Sequence, residues 1–243
     1  MILEYNGTRY SGWQKQHNSK SIQESIILAV KKVLEQTKGE GKFIDLQGSG
    51  RTDAGVHAYE QVAHLDCETT LAPEILRMKI NDELSSDINI LQIDKIRNNF
   101  HARHSAKSRQ YVYRISKRRT AFEKKYVWWI KDKLDTNKMK LAADIFEGFK
   151  DFKSFSDKNA DSESTKVLVD EITIEENGSL ILIRIKASHF LWKMVRRIVG
   201  TLVEVGRGAL NEKDIKKFFE KYSNEPSKYT APPSGLFLEK VYY

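Results

Sequence analysis

The chain has 243 residues, 41 Lys plus Arg against 33 Asp plus Glu, and a formal charge of +8; at 40% hydrophobic and 10% aromatic it is too apolar for intrinsic disorder. It is long enough to bury a core as one large domain or two modest ones, and its basic surplus attracts polyanions, nucleic acid among them, without identifying one. Cys67 has no partner for a disulfide, no apolar run approaches the ~18 residues of a membrane span, and Met1 to Tyr5 lacks a signal-peptide pattern, so a reduced, cytoplasmic protein is expected.

Residues 21–36 place Ile22, Ile26, Ala29, Val30, Val33 and Leu34 at helical spacing with Lys31, Lys32 and Glu35 opposite, which predicts an amphipathic helix. Val62-Ala63-His64-Leu65 predicts a short strand, Pro73 opens a second helix through Leu84, and Ile88 to Ile93 alternates as another strand. Further on, Tyr111, Tyr113 and Ile115 share one strand face, residues 136–148 predict a helix, and 172–187 predict a hairpin around Asn177-Gly178. A long helix is expected from about His189 to Val205, another over 211–222, and an extended apolar segment at the end of 231–243. This alternation predicts an α/β chain of the α+β kind, with helices flanking a mainly antiparallel sheet. The polar stretch from Lys95 to Asn99 is the best boundary, dividing 1–97 from 98–243.

Residues 47–58 read Gln-Gly-Ser-Gly-Arg-Thr-Asp-Ala-Gly-Val-His-Ala, with one carboxylate, Asp53, among three glycines and flanked by Arg51 and His57. The spacing is not G-x-G-x-x-G, and the Gly-Lys-Ser/Thr of a P-loop is absent, so both phosphate-cradle readings fail. Taken alone the segment is a glycine-rich turn whose aspartate accepts backbone hydrogen bonds. It does not stand alone. Tyr5-Asn6-Gly7-Thr8 with Ser11-Gly12-Trp13-Gln14-Lys15-Gln16 precedes it. Phe100 to Ala106 with Arg109-Gln110-Tyr111-Val112-Tyr113 follows, then Asp151 to Phe155, Phe190 to Gly200, and Ala231 to Leu236. In this order the blocks resemble the tRNA pseudouridine synthases of the TruA family over nearly the whole chain. Asn6 stands where that family usually has Asp, and His104 where Phe is commoner.

The resemblance implies two ferredoxin-like halves in a pseudouridine synthase fold, and isomerisation of uridine to pseudouridine at positions 38 to 40 of the tRNA anticodon stem-loop. The reaction detaches uracil from C1′ of its ribose and rejoins it through C5, with no redox change. No cofactor and no metal are expected; His101 and His104 lie three apart without an acidic or sulfur ligand beside them. By the same resemblance Asp53 is the essential carboxylate, attacking C1′ or removing a proton on the way to a glycal. Arg196 is its cationic partner, which a carboxylate covered by a base needs, and Arg197, about 100° further round the helix, faces solvent or phosphate. Tyr111 is expected to stack on the extruded uracil, Arg51 to assist extrusion and fill the vacated space, and Leu236 to form an apolar wall. Tyr113 is read as core. Lys107, Arg109, Arg114, Lys117, Arg118, Arg119, Lys124 and Lys125 suit phosphate contacts. A symmetric homodimer is implied. Rival readings are a paralogue acting on ribosomal RNA, a non-catalytic RNA-binding module, and a glycosidase, which would normally want a second acid that 47–58 does not supply.

Overall fold

A computed structural model describes residues 1–37, 41–96, 99–157 and 164–243. In chain order its elements are β1 (Ile2–Tyr5), α1 (Ile22–Glu35), β2 (Lys42–Gly48), β3 (His57–Glu68), α2 (Pro73–Glu83), β4 (Ile88–Gln92) and β5 (Ser108–Ser116). There follow β6 (Trp128–Trp129), α3 (Thr136–Ala143), β7 (Gly148–Asp151), β8 (Lys166–Asn177), β9 (Leu180–Ala187), α4 (Met194–Arg207), α5 (Glu212–Glu220) and β10 (Leu236–Tyr242). They form two compact units, Met1–Lys107 with Leu238–Tyr243, and Ser108–Phe237. The division thus falls at Lys107/Ser108, past the polar stretch near residue 97, and the chain end returns to the first unit. Two bonds fasten it there: the Lys107 N–H donates to the Tyr242 carbonyl at 2.8 Å and the Tyr243 hydroxyl to the Ala102 carbonyl at 2.8 Å. Pairing between residues so far apart in sequence leaves no mark on local composition. Arg97 and Asn98, at the expected boundary, lie outside the described residues.

In the first unit β1, α1, β2, β3, α2 and β4 run strand-helix-strand-strand-helix-strand, and the sheet order is β4-β1-β3 with β2 on β3. This is the ferredoxin-like arrangement the motifs implied. The Ser21 hydroxyl accepts the Glu24 N–H and caps α1, whose Ile22, Ile26, Val30 and Val33 are buried against the sheet side of the unit. β3 is much longer than Val62 to Leu65 because it pairs with both β1 and β2, so Tyr59, Glu60 and Gln61 are held extended despite breaking the apolar run. In β2 only Leu46 is buried, which is why alternation did not announce that strand.

The second unit orders β5-β9-β8-β7, all antiparallel, with the two-residue β6 parallel to β5. The expected hairpin is present: Asn177 pairs with Leu180, leaving Gly178 at φ +59 as the first of two loop residues. α3 stops at Ala143, short of 148, because residues 144–146 tighten into a 3₁₀ turn and Gly148, at φ +92, swings the chain into β7. α4 begins at Met194 instead of near His189, because Lys193 sits left-handed at φ +61, ψ 5 and no helix can propagate through it. Its other end closes on Gly208 at φ +81, which caps the last carbonyls. α5 carries a capping box, Asn211 with Asp214. Phe146, Phe152 and Phe155 are fully buried and meet the Phe219 ring at 5.1 to 5.7 Å between centroids, an apolar cluster under α5.

Candidate active site

In the first unit β2 delivers the chain at Gly48 and β3 takes it up at His57, and the turn between them carries Asp53. Backbone bonds tie it on several sides: Ser49 N–H to the Val62 carbonyl at 2.7 Å, Trp13 N–H to Thr52 at 3.0 Å, Gly55 N–H to Tyr10 at 3.3 Å, and Val56 N–H to the Asp53 carbonyl at 3.1 Å. Beneath lies a buried polar network. The Ser49 hydroxyl donates to Gln61 Oε1 at 2.6 Å, the Gln61 amide donates to the Gly50 carbonyl at 3.1 Å, and the Tyr5 and Thr52 hydroxyls share a bond of 2.9 Å. The Gly7 N–H donates to His57 Nδ1 at 3.1 Å, which engages that ring with backbone inside the unit. Ser49, Thr52, His57 and Gln61 are all buried, so these bonds are made out of competition with water and fix the turn in one conformation. Burial pushes the Tyr5 phenol up to about 12, keeping it a neutral hydroxyl in the network.

Two glycines let the opening segment pass close under this turn. At Gly12, φ +98, an added Cβ would stand 2.5 Å from the Thr52 carbonyl oxygen, and at Gly48 one would stand 2.6 Å from the Trp13 ring. The block Ser11 to Gln16 is therefore the support of the Asp53 turn. Asp53 itself is half-buried, and the exposed Arg51 donates from Nε to Gln14 Oε1 at 3.0 Å. Gln61, Ser49, Tyr5 and Thr52 are the side chains under the turn whose part the sequence analysis did not assign. The available signal was a glutamine standing next to Val62-Ala63, where a strand that pairs on several sides has no room for an unsatisfied amide.

The second unit carries the other expected residues. Tyr111, on β5, is 8% exposed and meets the Phe190 ring edge-on at 5.0 Å. Tyr113, two residues on, is fully buried and its hydroxyl donates to the Pro232 carbonyl at 2.7 Å, the core role expected of it. Burial raises its phenol well above the usual range, against the pull of the Arg196 charge. Arg196 stands in the first turn of α4, and its Nε donates to the Ala231 carbonyl at 2.7 Å while the Ala231 N–H returns a bond to the Arg196 carbonyl at 3.0 Å. The first bond holds the side chain at Nε, and the second ties the backbone of α4 to that of Ala231. Segment 231–236 thus joins Arg196 to β5, since Gly235 presses on the Tyr113 ring, where a Cβ would come within 2.7 Å, and Leu236 follows it, 5% exposed.

Arg197 does not face solvent or phosphate. It is 4% exposed and its guanidinium pairs with Asp157, which also takes the Lys193 ammonium at 2.6 Å. Burial tends to raise the Asp157 carboxyl, but the hydrogen bond from Lys193 and the charge of Arg197 outweigh it and hold it below the ordinary range. This cluster anchors the start of α4, one residue from Arg196. The two adjacent arginines are thereby divided as helical geometry requires, one to structure and one to the 231–236 segment.

A family model described as tRNA pseudouridine synthase matches residues 1–105 and 142–243. The chain belongs to that family. The synthase is 36% identical over 256 residues to a tRNA pseudouridine synthase A of Thermodesulfovibrio yellowstonii, a match covering 100% of this chain and 98% of the relative. It is 41% identical over 247 residues to a tRNA pseudouridine synthase A of Wolbachia pipientis, with the same coverage of both chains. A tRNA pseudouridine synthase A of a Thermoanaerobacter species is 38% identical over 245 residues, again across 100% of this chain and 98% of the relative. The protein is accordingly an RNA pseudouridine synthase, an isomerase. Among its described residues no group of three or more His, Cys, Asp or Glu is arranged to hold a metal, and no helix is long and apolar enough to cross a membrane.

Proposed function

We propose that the enzyme converts uridine to pseudouridine at positions 38 to 40 of the tRNA anticodon stem-loop, as a homodimer, with Asp53 as the essential carboxylate. In this reading the C1′–N1 bond breaks, the uracil turns, C1′ bonds to C5, and the proton on C5 leaves while N1 gains one. Asp53 attacks C1′ or abstracts a ribose proton; both roles need it anionic, and Arg196 supplies the countercharge. Tyr111 holds the extruded base, Arg51 occupies the place it leaves, and Leu236 lines the apolar side. The observation that carries the reading is the fixing of the Asp53 turn by buried hydrogen bonds, within a chain whose relatives at 36 to 41% identity are tRNA pseudouridine synthases. Such support suits a side chain that must be held in one geometry to react.

The deciding experiment incubates the purified protein with unmodified tRNA and ribosomal RNA transcripts and maps pseudouridine by carbodiimide-stop sequencing. Product is expected in the anticodon arm, and Asp53→Asn is expected to bind the same RNA with no product. Product confined to ribosomal RNA overturns the substrate, and a fully active Asp53→Asn protein overturns the role of the carboxylate.

A further inference from the structure

Between β5 and β6 the chain makes an excursion over 117–127 that the chemistry above does not use. Its root is fixed. The Ser116 hydroxyl donates to the Arg118 carbonyl at 2.6 Å, the Lys117 N–H to the Ser179 carbonyl at 2.8 Å, and the Lys117 ammonium meets Glu176 at 2.6 Å. On the return side the Tyr126 N–H donates to the Glu123 carbonyl at 2.8 Å, and Val127 is buried. Between these anchors Phe122 is 95% exposed, more than any other large apolar side chain described. One exposed ring by itself needs no explanation, but Phe122 shares an anchored loop with the exposed Trp129 and a run of exposed cations, and that combination points to an occupant.

The surroundings say which kind. Lys117, Arg118, Arg119, Lys124 and Lys125 are all exposed on this loop, and the one acid among them, Glu123, lies 3.5 Å from Arg114. Where the loop rejoins β6, Trp129 is 42% exposed and the Arg119 guanidinium lies 6.0 Å from its ring centroid. Closing an apolar protein surface over these cations would strip their water without return, whereas a nucleic acid offers phosphates to the cations and flat bases to the rings. β5 also carries Tyr111, and at ~3.3 Å per residue its end at Ser116 is about 17 Å along the strand from that tyrosine. The contact is therefore remote from the reacting nucleotide.

We infer that the 117–129 loop is an RNA-docking element, in which Phe122 stacks on an unpaired base of the substrate while Arg118, Arg119 and Lys124 contact its phosphates. The inference rests on RNA being the substrate, as proposed above. Filter binding of the full-length protein to an unmodified tRNA transcript tests it without requiring turnover. Phe122→Ala is expected to raise Kd about tenfold, Phe122→Leu to do the same because it keeps apolar bulk without a π face, and Phe122→Trp to stay within about threefold of wild type. Lys124→Ala is expected to lower the slope of log K against log salt by about 1. Wild-type affinity in Phe122→Ala or Phe122→Leu overturns the stacking role. A change in sedimenting mass of Phe122→Ala overturns it too, by showing the tip to be a contact between protein chains. Failure of the proposed function reads differently: the wild-type protein then makes no pseudouridine in that transcript, whatever the variants bind.

Discussion

Gly12→Ala probes the dependence of the Asp53 turn on the segment beneath it. Gly12 has φ +98, and an alanine there meets two costs. The left-handed backbone costs a non-glycine residue roughly 1–2 kcal/mol. The new methyl, 2.5 Å from the Thr52 carbonyl oxygen and 3.1 Å from the Asp53 carbonyl carbon, adds roughly 1–3 kcal/mol of overpacking. Together they come to roughly 2–5 kcal/mol, which in a chain of this length lowers Tm by roughly 4–20 °C. The clashing atoms are backbone, so the strain is relieved by moving the turn. Restoring ordinary contact takes a shift of about 1 Å, and a misplacement of that size costs roughly 10²-fold in rate. Circular dichroism melts read the first effect. Release of tritium from C5-labelled uridine in a tRNA transcript reads the second, since that hydrogen leaves when C1′ bonds to C5. Gly50→Ala is the control: an added Cβ there meets nothing within 4 Å, and its stability is expected within about 0.5 kcal/mol of wild type. A Gly12→Ala protein with wild-type Tm and wild-type rate would refute the claim that the opening segment positions Asp53.

Gln61→Ala is expected to destabilise the protein by about 2–4 kcal/mol, because it strands the Ser49 hydroxyl and the Gly50 carbonyl in a buried site; a loss under about 1 kcal/mol in urea unfolding contradicts the network. His101 gives a pH prediction. Its Nδ1 accepts the Arg103 and His104 N–H groups at 3.1 and 3.2 Å, and burial, the neighbouring His64 and His104 and the charge of Arg103 lower its pKa from the usual 6.5. The folded protein thus holds this proton less tightly than the unfolded chain, so the stabilisation is complete above pH 6.5 and is lost as pH falls through the folded value. Melts at pH 8 and pH 5 are expected to show a smaller acid-induced drop in Tm for His101→Gln than for wild type, and equal drops would dismiss the assignment.

Much of the fold was legible because it is locally encoded. The α1 stripe of Ile22, Ile26, Val30 and Val33, the proline opening α2 and the Gly178 hairpin each state their geometry within a few residues. Failures came where a distant contact overrode the local pattern. β3 carries polar residues that only its partners β1 and β2 hold extended, and α4 starts late because Lys193 is turned left-handed where Asp157 and Arg197 meet. Arg197 shows the limit most clearly. Helical spacing required it to point away from Arg196, but nothing in the spacing distinguishes water from a buried carboxylate.

For the candidate site residues, ordered motif blocks that resemble a known family named Asp53 and Arg196, each block written in contiguous residues, whereas the segment around Asp53 taken alone reads as a glycine-rich turn. Tertiary structure alone decided what holds them: Gln61 and Ser49 under the turn, Gly12 pressed against Thr52, Ala231 bonded twice to Arg196. The reason is physical. Chemical reactivity belongs to a residue and its immediate neighbours, whereas rigidity comes from buried hydrogen bonds and close packing between segments that only folding brings together.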